Sequence, residues 1–157
     1  MKALQMLFAC LGRLCIGSLF LLAGINHILD WNGSIHQLGD GLCRFASFSA
    51  DNVALADFAN MLTPWSTVLM GIATFCLLLG GLLVFFGIKT RFGAFLLILF
   101  VLGATFVFHA FWMFPPEEKS LQMTMFMQHI AILGGLLTLL ALGNGTCKKP
   151  ASKSKEE

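Results

Sequence analysis

Histidine carries most of the chemistry open to this chain. His27, His109 and His129 each stand inside a long apolar stretch, and His36 follows the first of them in a more polar segment. Neutral imidazole both donates and accepts a proton near pH 7, which suits proton exchange with a ligand, metal ligation or hydrogen bonding at a membrane surface. Asn26, Asp30, Thr105, Trp112 and Gln128 lie beside the three intramembrane histidines and complete a candidate pocket. Three readings of that pocket stand open: a site for the polar head of a quinone or similar lipid, a haem or metal held by converging histidines, and plain interfacial hydrogen bonding. No His-x-x-x-His spacing occurs within one helix, so spacing points to no metal site, and any ligands must converge from several helices.

The elements that must position these residues are membrane spans. The 157 residues are 57% hydrophobic and 11% charged, with a mean hydropathy of +0.83, whereas a soluble domain is about a quarter charged. That excludes a soluble enzyme domain and a disordered chain. The net charge of +2 includes no long basic run, which excludes a nucleic-acid binder. Cys10, Cys15, Cys43, Cys76 and Cys147 are odd in number and include no Cys-x-x-Cys pair, so they read as buried free thiols rather than as a disulfide framework or a zinc site. The apolar run before Cys10 is short and Arg13 follows it, so the start reads as part of the first span rather than as a cleaved signal.

A span needs about 20 helical residues. Uncharged stretches run from Trp65 to Ile88, from Phe92 to Phe114 and from Ser120 to Cys147, and a first span begins before Arg13 and ends near Leu29. The expected fold is therefore an all-α, integral membrane four-helix bundle. Residues 1–147 form a single membrane domain with spans at 4–29, 65–88, 92–114 and 121–143, and residues 148–157 form a polar tail. The long connection after the first span is partly helical. Ile35, Leu38, Leu42 and Phe45 recur at helical spacing despite Gly39 and Gly41. Asp51 or Ser49 is placed to cap a second short helix carrying Leu55, Phe58 and Leu62 on one face. Such segments would lie over the outer end of the bundle as a lid.

Spacing also predicts faces. Arg13, Gly17, Phe20, Gly24 and His27 form one stripe on the first span, where the glycines admit a neighbouring helix. Arg13 lies at the inner end, either as an ordinary interfacial charge or turned inward toward helix-end carbonyls. Thr105, His109 and Trp112 share a face on the third span, and Gln128, Ala131, Gly135 and Thr138 form a packing stripe on the fourth, with Gly134 beside it. His27 and His109 are expected to face one another across the first and third spans.

Several segments resemble the DoxX family of small four-helix membrane proteins: RLCIGSLFLLAGINHIL from Arg13, the turn from Gly87 to Arg91, GAFLLILFVLGATFVFHAFW from Gly93, and IAILGGLLTLL from Ile130. The resemblance covers about residues 13–143. It implies a bundle in the bacterial cytoplasmic membrane. Some relatives are associated with a thiosulfate:quinone oxidoreductase, and most have no established activity. Matching positions are Arg13, Gly24, His27, Thr105, His109, Trp112, Gly134 and Gly135, while relatives often carry Asn where His129 stands.

Two functions of different class follow. One is the membrane subunit of a quinone-linked redox system, with the quinone head among the outer histidines and electrons supplied by a partner protein, since the chain carries no flavin or iron–sulfur signature. The other is a non-catalytic assembly, integrity or stress-related factor without cofactor, favoured by the absence of a complete catalytic constellation. A transporter is disfavoured by the scarcity of intramembrane charge.

Charge sets the expected orientation. Lys2, Arg13, Lys89, Arg91 and the tail lysines share one side, while Asp30, Asp40, Asp51, Asp57, Glu117 and Glu118 share the other with all three tryptophans. Both termini are then cytoplasmic. A periplasm-dependent reporter fused after Lys155 is expected to be silent and one inserted near Asp51 active; the opposite pair of results overturns the orientation.

Overall fold

The computed structural model describes residues 2–49 and 51–143; Cys147 and the polar tail lie outside them. The described residues are helical almost throughout and contain no strand. Six helices follow in order: α1 (Lys2–Leu29), α2 (Trp31–Phe48), α3 (Val53–Leu62), α4 (Ser66–Phe86), α5 (Thr90–Phe108) and α6 (Pro116–Leu142). Four runs are long and apolar enough to cross a membrane: Leu4–Leu29, Val53–Phe86, Thr90–Met113 and Pro116–Leu142.

Local chemistry explains the breaks. Asp30 ends α1 and caps α2, its carboxylate accepting from the Gly33 N–H at 3.2 Å. Gly39 and Gly41 do not interrupt α2. Gly41 is buried against α5, and a methyl group there would come within 2.8 Å of Val107 Cγ1. The cap of α3 is Asn52, without a side-chain bond, rather than Asp51 or Ser49. Its buried residue is Ala59, while Leu55 and Phe58 face outward and Leu62 faces inward, so the three expected positions do not share one buried face. A 3-10 turn, Thr63–Trp65, passes directly into α4, so the second apolar run is longer than the expected 65–88 span. Glycine is required at Gly87, which ends α4 at φ 70°, where a side chain would also collide with the Arg13 guanidinium. Glu117 and Glu118 occupy the first turn of α6 behind Pro116, the arrangement that the helix dipole favours.

Neighbour order decides which residues meet. Helix α4 packs on α1 and α5, and α6 packs mainly on α5. Apolar transfer gives little drive to pack helices in lipid, so close contact matters more than in water. The seams are accordingly lined with glycine. A methyl group on Gly17 would lie 2.8 Å from Phe85 Cα, one on Gly24 2.7 Å from Leu78 Cδ2, and one on Gly93 2.8 Å from Leu83 Cβ. Between them sits a core of Phe20, Leu77, Val84, Ala94, Leu97, Val101 and Leu136. Arg13 lies beside the α4–α5 turn, so the first eleven residues of α1 run on past the turn for about 16 Å at 1.5 Å per residue.

The expected stripe on α6 is corrected. Gly135 meets Ile16 of α1, but Gly134 faces open space, and Gln128, Ala131 and Thr138 are exposed. Adjacent residues differ by 100° around a helix, and the contact with α5 runs instead through Gln122, His129, Leu133 and Leu136.

Gly17→Ala drives a methyl group into the backbone of α4 and is expected to cost about 1–3 kcal/mol. Gly134→Ala is expected to be neutral or stabilising, by up to about 1 kcal/mol from helix propensity. Thermal unfolding in detergent checks both, and equal loss in the two variants contradicts the packing.

Candidate functional site

The acid-rich end of the bundle holds two separate constellations. The first is a hydrogen-bonded chain across α5 and α6. Thr105, one turn inside the end of α5 and buried, donates its hydroxyl proton to the Val101 carbonyl. Its oxygen lies 2.8 Å from Nδ1 of His129. With the only hydroxyl proton committed, Nδ1 of His129 is the donor. His109 Nδ1 lies 2.9 Å from Gln122 Oε1, an oxygen that carries no hydrogen, so this nitrogen donates as well. The two imidazole rings stand edge to face, with centroids 4.7 Å apart and planes at 89°. Nε2 of each ring takes no part in these two bonds.

The second constellation is a cavity of about 390 Å³ lined by α1, α2, α3, α4 and α5. Its wall is apolar apart from His27 and the Cys76 thiol. Leu38, Leu42 and Leu62 from α2 and α3 line it with Met70, Phe100 and Ala104. Leu99 and Ile72 at its edge are exposed, so the cavity opens sideways. His27 packs its ring at 6.4 Å from Phe100, and its Nδ1 is buried without a hydrogen-bond partner. The antiparallel register that sets Gly24 against Leu78 and Gly17 against Phe85 brings His27 level with Thr74. The Thr74 hydroxyl is also buried and unpartnered, whereas Thr63, Thr105, Thr124 and Thr138 all donate to a carbonyl four residues back.

His27 and His109 thus do not face one another. Helix α4 lies between α1 and α5 in the packing order, and His109 turns to α6. His109 is also not on a continuous helical face with Trp112, because α5 stops at Phe108 and His109 is its C-cap. Trp112, in the following 3-10 turn, joins an edge-to-face cluster with Phe111 and Phe126. Asp30 is committed to capping, and Asn26 and Gln128 are exposed, so none of the three lines the cavity. His36 is exposed on α2. Arg13 is half-buried against Gly87, and its Nε has no hydrogen-bond partner. Gln122 was not foreseen, although it stands two turns before His129 on the same face of α6. The cavity residues of α2 and α3, Leu38, Leu42 and Leu62, are among the apolar positions that helical spacing marks in this connection.

A bundle of long apolar helices with a polar chain and an apolar cavity at one end defines a multi-pass membrane protein. The chain belongs to the DoxX family, whose model matches residues 8–110. No curated protein matches it, and no solved structure does.

Thr105→Val removes the acceptor of His129 while keeping the shape of the side chain, and is expected to cost about 1–3 kcal/mol by leaving a donor unsatisfied. Thr138→Val, on an exposed face of α6, is expected to cost far less. Comparable losses in detergent unfolding contradict the buried pairing.

Proposed function

We propose that this DoxX-family protein binds a quinone or similar lipid with a small polar head in the His27 cavity. The observation that carries the reading is the buried, unpartnered Nδ1 of His27 at the wall of an otherwise apolar, laterally open cavity. An orphaned buried polar atom costs free energy unless a partner arrives. A quinone carbonyl accepts from an imidazole N–H, and an isoprenoid tail fits an apolar groove open to lipid. Helices α2 and α3 supply part of the cavity wall, which suits a head held near the membrane surface.

In this reading the protein is the membrane subunit of a quinone-linked redox system in the bacterial inner membrane, with both termini cytoplasmic and electrons supplied by a partner protein. His27 exchanges a proton with the quinone oxygen as the head is reduced, and faces the outer side with the acidic loops. The quinone supplies the redox chemistry; the residues of this chain bind it, orient its head and exclude water.

Lipid extraction of protein purified in mild detergent is expected to release a quinone in near-stoichiometric amount. His27→Gln is expected to bind it roughly tenfold more weakly, the effect of about 1.4 kcal/mol, while His36→Gln leaves it unchanged. A haem absorbance band rejects the quinone reading. Extraction of no quinone also rejects it and leaves a cofactor-free membrane factor.

A further inference from the structure

We propose that the lipid-facing side of α6 is the surface through which two copies of this chain pair in the membrane, joined by Gln128. No residue of α6 lines the His27 cavity, so the pairing does not rest on the function assigned there.

An unsatisfied amide carries the argument. Gln128 stands nine residues past Lys119, about 13 Å along the axis at 1.5 Å per residue, in an uncharged run that continues to Leu142. Its side chain is exposed, and no side chain or backbone group among the described residues hydrogen-bonds to its amide. The threonines on the same side of α6 are satisfied locally. Thr124 donates to the Ser120 carbonyl at 3.0 Å and Thr138 to the Gly134 carbonyl at 2.9 Å. Hydrocarbon offers the Gln128 amide no such partner, and a hydrogen bond from another helix recovers the free energy that its isolation costs.

The chemistry of the amide selects the partner. A carboxamide both donates and accepts, so two of them satisfy one another. Copies of one chain share an orientation in the membrane, and a two-fold axis along the membrane normal sets each α6 residue level with its own counterpart. Gln128 of one copy then meets Gln128 of the other at the same depth. The surface around it admits a close approach. Thr124, Ala131 and Thr138 recur every seven residues, Gln128 and Gly134 flank that line, and all five are exposed. A methyl group on Gly134 would meet nothing within 4 Å. Small side chains let two helices come close enough for dispersion and a short interhelical hydrogen bond. Helix α6 has this side to spare: it is the least enclosed of the four apolar runs, and its buried anchor, Leu136, is on the opposite side.

The test uses full-length protein, by sedimentation equilibrium in a mild, density-matched detergent and by disulfide trapping in native membranes. A reversible dimer is expected. Gln128→Leu, which makes the surface more apolar, is expected to weaken it roughly tenfold, and Ala131→Leu by roughly tenfold or more. Gln128→Asn keeps the amide and is expected to lose less than Gln128→Leu. Leu137→Val, on another exposed side of α6, is expected to pair as the parent does, as is Gly134→Ala, which keeps the surface small. Oxidation of membranes carrying Ala131→Cys is expected to give a cross-linked dimer beyond that formed by the parent cysteines, and Leu137→Cys none. Helix content is compared for every variant. Should Ala131→Leu fail to fold, Gln128→Leu and the trapping decide, and the trapping decides where detergent separates the copies. A monomer in detergent with no added cross-link in membranes overturns the proposal. So does a dimer that Gln128→Leu leaves unchanged, trapping through position 137 rather than 131, or a different polypeptide held at one per chain.

Discussion

Hydrocarbon offers no water to a polar group, so each one in a span must find its partner within the protein. That constraint organises this molecule. The Thr105, Thr124 and Thr138 hydroxyls turn back to their own helices, Arg91 donates to the Ala141 carbonyl at 3.1 Å, and His109 and His129 reach across to Gln122 and Thr105. Against this background Arg13 Nε, His27 Nδ1 and the Thr74 hydroxyl are the buried exceptions among the described residues, all unpartnered. His27 and Thr74 stand at one level of the α1–α4 seam, and His27 lines the apolar cavity.

Close approach of backbones makes those positions possible. Gly17 and Gly24 let α1 settle on α4, and Gly80 and Gly93 let α4 settle on α5. The first seam carries His27 to the cavity wall. The second holds α5 so that its far side presents Thr105 and His109 to α6. Helix α6 is less enclosed than α4 or α5, with Leu136 as its buried anchor. The histidine pair therefore does structural work there, joining α6 to α5 through polar contacts where apolar burial is slight.

Much of this was legible in the sequence, and the reasons are local. Long uncharged runs disclose the four spans, and two glycines seven residues apart disclose the α1 face. Asp30 before an amphipathic segment is a capping signal, although its place near His27 made it look like a pocket residue. The pairing of histidines was not legible, because it depends on which helices are neighbours, and equal depth cannot distinguish adjacent from diagonal spans. The end of α5 was hidden as well, because no Pro or Gly stands at Phe108–Ala110 to mark it. The choice between Gly134 and Gly135, or between Gln122 and Gln128, turns on helical phase that composition does not set.

The separation of the two constellations is tested most directly by double-mutant cycles on unfolding free energy in detergent. The His109→Ala/His129→Ala cycle is expected to give a coupling of about 0.5–3 kcal/mol, as for residues in contact. The His27→Ala/His109→Ala cycle is expected to be additive within about 0.3–0.5 kcal/mol. Strong coupling of His27 to His109, with none between His109 and His129, would contradict the arrangement described.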